Sequence, residues 1–481
     1  MSSDKKSFYI TTTLPYVNAD PHIGFALELV QSDAIARYQR LMGKDVFFST
    51  GTDEYGQKIF EAAKKAGKEI HAYVDHYSAE FKKLEEALGI SNDTFIRTTS
   101  EHHKKAAQEM WKRCNKSGDI YKKTYTGQYC VGCESFKTEK DLNEQKQCVL
   151  HSNLKIATLE EENYFFRFNK YKDKLLEYLS NPGVILPDWR REEAITFVQN
   201  GLEDFSISRE KKRLSWGVPV PDDEQQVMYV WFDALTNYIS TLGWPDDKEE
   251  KFKNFWENGE TIQTAGKDQI RFQSLMWQAM LMSAGVKNTD KVVYHGFITS
   301  GDQKMSKSLG NVISPLDLVK EYGTDAVRYF LLREISSFED SPFTLERFKE
   351  AYNAGLANGL GNLVSRILTL SEKYLEKCPE IPDGLTPQEF KDYLDKFEIN
   401  KAVDFIWTRI QILDKKIQVT EPFKVVKVDL KKGKELITET VLELYAITRM
   451  LNSIMPETNE KLKKLIRENK KPEKPLFPRK D

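Results

Sequence analysis

The sequence predicts an α/β fold: a parallel-sheet domain interrupted by a small cysteine-bearing insertion and followed by an all-α helical bundle. Three observations carry this. Strand, helix and strand alternate over the first 50 residues; a polar stretch from about Asp119 to Asn169 breaks that rhythm; and from about Phe348 onward the segments are helical. Ser7–Thr13 (SFYITTT) is β-branched and aromatic, as strands are. Phe25–Met42 places apolar residues at helical spacing until Gly43 stops it, and Val46–Thr50 (VFFST) is a second strand. A βαβ unit implies a parallel sheet, and ligands of such sheets sit at the carboxyl ends of the strands. Leu14–His22 and Gly51–Gly56 are therefore expected to face one site. After the insertion, strands are expected at Val227–Phe232 (VMYVWF) and Val292–Thr299 (VVYHGFIT), with a helix over Asp268–Ala284 between them. Helices over Gly355–Leu375, Ile399–Lys416, Glu435–Ile454 and Glu457–Asn469 form the bundle, and KKPEKPLFPRKD reads as a tail laid on the surface.

At ~100–200 residues per domain, length predicts two to four domains. With 40% hydrophobic, 12% aromatic and 30% charged residues, the 481-residue chain is neither disordered nor collagenous. Mean hydropathy is -0.56, and no apolar run approaches the ~20 residues of a membrane span. The amino terminus enters a strand with no secretory segment, so a reducing cytoplasm is expected and the five cysteines are not a disulfide framework. A net charge of -2 gives no sign of a nucleic-acid partner. The sum hides a split, because residues 347–481 carry 26 Lys+Arg against 21 Asp+Glu, which suits contact with phosphates.

Two loops carry phosphate chemistry. Pro21-His22-Ile23-Gly24 opens a helix, whose unpaired N–H groups attract phosphate oxygens. Gly24 permits close approach, and His22 either donates to a phosphoryl oxygen or caps the helix. Lys304-Met305-Ser306-Lys307-Ser308 lies between Gly301 and Gly310. Alone it would be a solvated turn; with the first loop on one βαβ scaffold it is a cationic clamp for charge developing on a pyrophosphate leaving group.

Cys130-Val131-Gly132-Cys133 and Cys148-Val149-Leu150-His151 place four ligand-type residues in two short turns. That spacing fits one closed, structural Cys3His zinc site, against the plainer reading of two buried thiols and a surface histidine. Cys114 and Cys378 lack partners and read as small apolar residues.

PHIG followed by KMSKS resembles the signature pair of class I aminoacyl-tRNA synthetases. TLPYVNADPHIG, GTDEYGQK, YCVGCE and VWFDALTNY resemble, within that class, the methionyl-tRNA synthetase family, over essentially the whole chain. The resemblance implies a Rossmann-like catalytic domain in two halves (1–118 and 170–346), a zinc-knuckle insertion (119–169) and a helical anticodon-binding domain (347–481). It implies activation of L-methionine by ATP, with Mg2+, to an adenylate plus pyrophosphate. Transfer to tRNA(Met), initiator included, follows. It implies catalytic roles for His22, Lys304 and Lys307, and ATP binding by these with Gly24 and Ser306. It also implies a methionine pocket of Leu14, Tyr16, Asp53, Trp231, Ala234, Tyr238 and Gln273. Asp53 suits the substrate ammonium and the aromatic rings suit a thioether, although Asp53 capping a turn and Trp231 and Tyr238 as core residues are the plainer alternatives. Asn362, Arg366 and Phe423 stand at anticodon-reading positions, where solvated helix residues are the alternative.

The insertion is too short for the editing domain that isoleucine and valine enzymes need, and a cysteine enzyme would place zinc in its pocket. A small-molecule nucleotidylyltransferase would need neither KMSKS nor a helical carboxyl-terminal domain. A silent tRNA-binding paralogue has Phe25 as its one hint. Phe25, Tyr55 and Gln273 stand where the family commonly has histidine, and Phe423 where it usually has tryptophan. The chain lacks the dimerising domain of some members, so a monomer is expected.

Overall fold

The computed structural model describes residues 6–132, 135–137, 141–300, 303–304, 313–382 and 384–480. Its contacts divide it into one unit of Met1–Pro21, Asp45–Lys83 and Asn92–Tyr294, and a second of His22–Lys44, Leu84–Ser91 and His295–Asp481.

The first unit is built on a six-stranded sheet of β1 (Ser7–Thr11), β2 (Asp45–Thr52), β3 (Thr94–Arg97), β4 (Ile185–Leu186), β5 (Glu260–Gly266) and β6 (Lys291–His295), in the order β3-β2-β1-β5-β6-β4. β1 pairs in parallel with β2 and with β5, β2 with β3, and β6 with β4. Phe8, Tyr9 and Ile10 are buried, as the near-continuous apolar run of a doubly covered parallel strand requires. Four helices bear on the sites below: α1 (Ile23–Leu41), α2 (Glu101–Lys116), α3 (Val230–Ala234) and α4 (Asn237–Ser240). The cysteine-bearing insertion contributes a long antiparallel ribbon, Ile120–Cys130 against Ala157–Phe166, flanked by Ser135–Lys137 and Phe205–Ser206.

Three expectations change. The VMYVWF stretch is not one strand: Asp223–Met228 joins a small antiparallel sheet, and α3 begins at Val230. Asp233 N and Leu235 N bond back to the Tyr229 and Trp231 carbonyls, and a short apolar run carries no period that separates a strand from a buried helical turn. The central strand next to β1 is instead β5 (ETIQTAG). Its polar residues disguise it, yet Thr261, Gln263 and Thr264 are buried, and Thr264 Oγ1 donates to Thr11 O at 2.9 Å. Val292–Thr299 also breaks in two: β6 ends at His295, and Ile298–Ser300 enters a separate sheet with Gln303–Lys304 and Ser341–Pro342. At Gly296 a Cβ would lie 2.2 Å from the Glu339 carbonyl carbon, so only glycine lets the two backbones pass.

Asp268–Ala284 is helical but composite. A 3-10 turn (Lys267–Gln269) leads into a π-helical stretch (Arg271–Met276) and then an α-helix (Trp277–Ala284), ended by Gly285 in the left-handed region.

The second unit is mostly helical. It contains α1, Thr324–Arg333, Ile399–Thr420, Leu430–Ile454 and Pro456–Arg467, with a further π-helical stretch (Tyr352–Gly361) running into Asn362–Tyr374. Its core encloses the fully buried Asp33 of α1. Arg37 Nε and Arg328 Nη2 each lie 2.7 Å from Asp33 Oδ2, and Ser91 donates to Oδ1 through N (2.7 Å) and Oγ (2.6 Å). Burial alone would push this carboxyl up, but the two guanidiniums and Ser91 more than offset that and hold it below the usual range. The tail lies on this unit as expected: Tyr352 Oη donates to Pro478 O (2.9 Å), and Asn353 and Lys480 exchange two bonds. Among the described residues no helix is long and apolar enough to cross a membrane.

Gly51 in β2 tests the sheet. A Cβ there would sit 1.9 Å from Ile96 O in β3. Gly51→Ala should cost ~1–3 kcal/mol or more, seen by calorimetry as a lowered Tm. An unchanged Tm would mean that this strand pair separates freely.

Candidate active site and metal centre

The loops after β1 and β2 zip together. Asp53 N donates to Pro15 O (3.0 Å), Val17 N donates to Asp53 O (3.3 Å), and Tyr16 and Asp53 form a parallel bridge. The expectation that these loops face one site is met within the first unit by Leu14, Tyr16 and Asp53, all lining one cavity. The two adjacent acids divide their tasks. Glu54 is fully buried and taken up by Arg97 Nε (2.6 Å), Thr52 Oγ1 (2.9 Å) and Thr99 Oγ1. Asp53, 2% exposed, lines the cavity, and its Oδ1 accepts from Tyr55 N at 3.3 Å and Thr98 Oγ1 at 3.5 Å. A carboxylate at a cavity wall can pair with a cationic group of a ligand.

Trp231 and Ala234 from α3, Tyr238 from α4 and Gln273 from the π-helical stretch complete the wall of the same cavity, about 930 Å3 in volume. Tyr16 meets Trp231 edge-on at 6.2 Å, and Phe272 stacks on Trp231 with ring centres 4.0 Å apart. Tyr238 Oη donates to Gln273 Oε1 (3.0 Å), while Tyr9 Oη donates to Tyr238 O (2.8 Å). Gln273 is 1% exposed and its Nε2 has no acceptor among the described residues. A buried donor of that kind costs ~1–3 kcal/mol unless a ligand or water accepts from it. Phe25 and Tyr55, the other positions where histidine is common, are also buried. Sequence reasoning missed Phe272. Its neighbour Gln273 was the available signal, and both line the cavity.

His22 is the exposed N-cap of α1, its Nδ1 accepting from Gly24 N at 3.1 Å. The capping alternative is thus the observed local geometry, and in the neutral ring it leaves the N–H on Nε2. A Cβ on Gly24 would stand 2.9 Å from the His22 ring, so the pair is mutually fitted. Lys304 ends the strand Gln303–Lys304; its side chain, Ser306 and Lys307 lie outside the described residues. Asn362 and Arg366 are exposed on one face of Asn362–Tyr374, whose opposite face buries Leu363, Val364, Ile367 and Leu368. Arg366 is paired with Asp414, and Phe423, second residue of Pro422–Val428, is 37% exposed.

In the insertion, the ligand atoms of Cys130, Cys148 and His151 lie within 4.8 Å of one another. Cys130 ends its strand, while His151 N donates to Cys148 O (3.1 Å), which brings the second turn together. A Cβ on Gly132 would lie 2.5 Å from His151 Cγ, so glycine lets the first turn close over the ring. Two thiolates and an imidazole suit a soft divalent ion. Cys133 lies outside the described residues.

Residues 8–153 and 139–368 match the model of the class I tRNA synthetases (M). The methionine–tRNA ligase of Fusobacterium nucleatum is 41% identical over 95% of this chain and 74% of its own length. That of Thermotoga maritima is 40% identical over 97% and 76%. The solved structure of the Mycobacterium tuberculosis methionyl-tRNA synthetase in complex with methionyl-adenylate is 38% identical, covers 96% of this chain and 94% of its own, and superposes with a TM-score of 0.89. The chain belongs to the class I tRNA synthetases and, within them, to the methionine–tRNA ligases. The reaction is the activation of methionine with ATP and the charging of tRNA with the product.

Tyr238→Phe should free the Gln273 amide to rotate. Losing ~1 kcal/mol of hydrogen bonding should raise the methionine KM about fivefold in ATP–pyrophosphate exchange while leaving kcat within about twofold. A KM equal to that of the parent would mean that the amide orientation does not matter.

Proposed function

We propose that the cavity of the first unit is the methionine site of a methionine–tRNA ligase specific for tRNA(Met), the initiator included. The observation that carries this reading is the convergence of Leu14, Tyr16, Asp53, Trp231, Ala234, Tyr238 and Gln273 on one cavity. Asp53 takes the substrate ammonium. Tyr16, Trp231 and Tyr238 enclose the flexible, polarisable thioether side chain, with Leu14 and Ala234 completing the apolar surface. Gln273 offers its amide NH2 group as a neutral donor.

ATP enters with Mg2+ as part of the substrate. His22, through Nε2–H, and Gly24, at the amino end of α1, receive its phosphates. Lys304 and Lys307, with Ser306, hold the pyrophosphate. The methionine carboxylate attacks the α-phosphorus, and the bond to pyrophosphate breaks as the lysines take up the charge that develops there. The terminal ribose hydroxyl of tRNA then attacks the activated carbonyl, and AMP leaves. Asn362 and Arg366 read anticodon bases, Arg366 exchanging Asp414 for a base edge, and Phe423 stacks on one of them. This assigns 1–118 and 170–346 to catalysis, 119–169 to the zinc knuckle and 347–481 to the anticodon. Cys130, Cys133, Cys148 and His151 would hold one structural zinc, which cross-links the turns of the knuckle when bound; the geometry of the three described ligands supports it. Cys114 and Cys378, which form no disulfide among the described residues, suit a reducing, cytoplasmic setting.

ATP–pyrophosphate exchange against each amino acid tests the substrate: signal with methionine alone is expected, and signal with none would leave a silent paralogue. Lys307→Ala should lower kcat by ~10²–10³ with the methionine KM little changed, whereas equal losses in both would make the lysine merely structural. Metal analysis of the purified protein should find one zinc per chain, lost in Cys148→Ser; equal zinc in both proteins would remove Cys148 from the ligand set.

A further inference from the structure

A buried pair behind the cavity has no role in the chemistry above. Asp233 lies on α3 between Trp231 and Ala234 and is fully buried. His103 of α2, equally buried, places Nε2 at 3.4 Å from Asp233 Oδ1 and Nδ1 at 2.9 Å from Ser240 Oγ on α4. Ser240 Oγ also lies 3.4 Å from Asn237 O, within α4. His102 Nε2 meets Ser240 O at 2.8 Å, tying α2 to α4 a second time. Asp233 Oδ2 has no partner among the described residues. The titratable group facing Asp233 from the loop after β2 is Tyr55, whose hydroxyl is pushed up first by burial and then by the Asp233 charge.

Nε2 meets the carboxyl either as acceptor of its proton or as donor to it, and in each case one proton lies between them. Burial pushes the Asp233 carboxyl up to about 6, and the His103 hydrogen bond and charge oppose that rise. Without the ring, the carboxylate would have to admit water or turn away, and α3 would move with it.

We infer that His103 is a positioning residue for the methionine pocket, holding Asp233 through one shared proton and so fixing Trp231, Ala234 and Tyr238. The inference rests on the reading of the cavity as the methionine site. Full-length His103→Gln, Asp233→Asn, the double variant and Trp231→Ala would be compared by ATP–pyrophosphate exchange. Loss of one charge-assisted hydrogen bond in His103→Gln should raise the methionine KM about tenfold, with the ATP KM within about twofold. The double variant, with two neutral amides, should return to within about threefold of the parent. Single effects that multiply in the double variant, or an ATP KM that rises in step, would overturn it. If His103→Gln does not fold, a folded, methionine-binding double variant supports the inference, and an unfolded one overturns it. A methionine KM unmoved by Trp231→Ala removes the pocket reading and this inference with it. One raised by Trp231→Ala but unmoved by His103→Gln removes the inference alone.

Discussion

β1 is paired in parallel on both sides, with Thr11 level with Ser49 of β2 and Gln263 of β5. Because the three strands run the same way, the loops after them leave on one edge of the sheet, and that edge is where a parallel fold can gather side chains from distant parts of the chain. Asp53 and Tyr16 meet there through backbone bonds between the two loops. Their placement therefore depends on main-chain pairing, which no side-chain substitution directly removes. The aromatic wall is arranged differently. Trp231 is held by Phe272 and Tyr16, and Tyr238 by Tyr9 below it, so its geometry depends on packing.

Buried acids are treated in contrasting ways. Asp33 is surrounded by two guanidiniums and a serine that together satisfy both oxygens, the arrangement that makes a buried charge a fixed structural element. Glu54 is satisfied in a similar manner by one guanidinium and two hydroxyls. Asp233, directly behind the cavity wall, is held differently: one oxygen faces the His103 ring at 3.4 Å and the other has no partner among the described residues.

The chemistry-bearing loops were legible because they are short and use residues with few alternative explanations at their spacing: PHIG after a strand, TDEYG after the next, and two C-x2-C/H turns. What escaped was hidden by physics that sequence patterns do not register. β5 buries polar residues that bond to neighbouring elements, Thr261 to Asp290, Gln263 Oε1 to Thr289 and Thr264 to Thr11, so ETIQTAG lacks the apolar signature of a central strand. VMYVWF has the composition of a strand but turns into α3 after Met228, since tertiary packing decides such short apolar runs. The Asp233–His103 contact joins residues 130 positions apart and had no sequence signal beyond two neighbouring histidines on a helix.

The π-helical stretch at Arg271–Met276 has a further consequence. Such a stretch is an α-helix carrying one surplus residue, and each residue turns a helix by ~100°. The bearing of Gln273 toward the cavity is therefore set by chain length as well as by side-chain identity. Shortening this stretch by a single residue would rotate what lies beyond it without altering one chemical group in the pocket. Descendants of this sequence thus have a route to new pocket linings through insertion and deletion, one that comparison by residue identity alone would overlook.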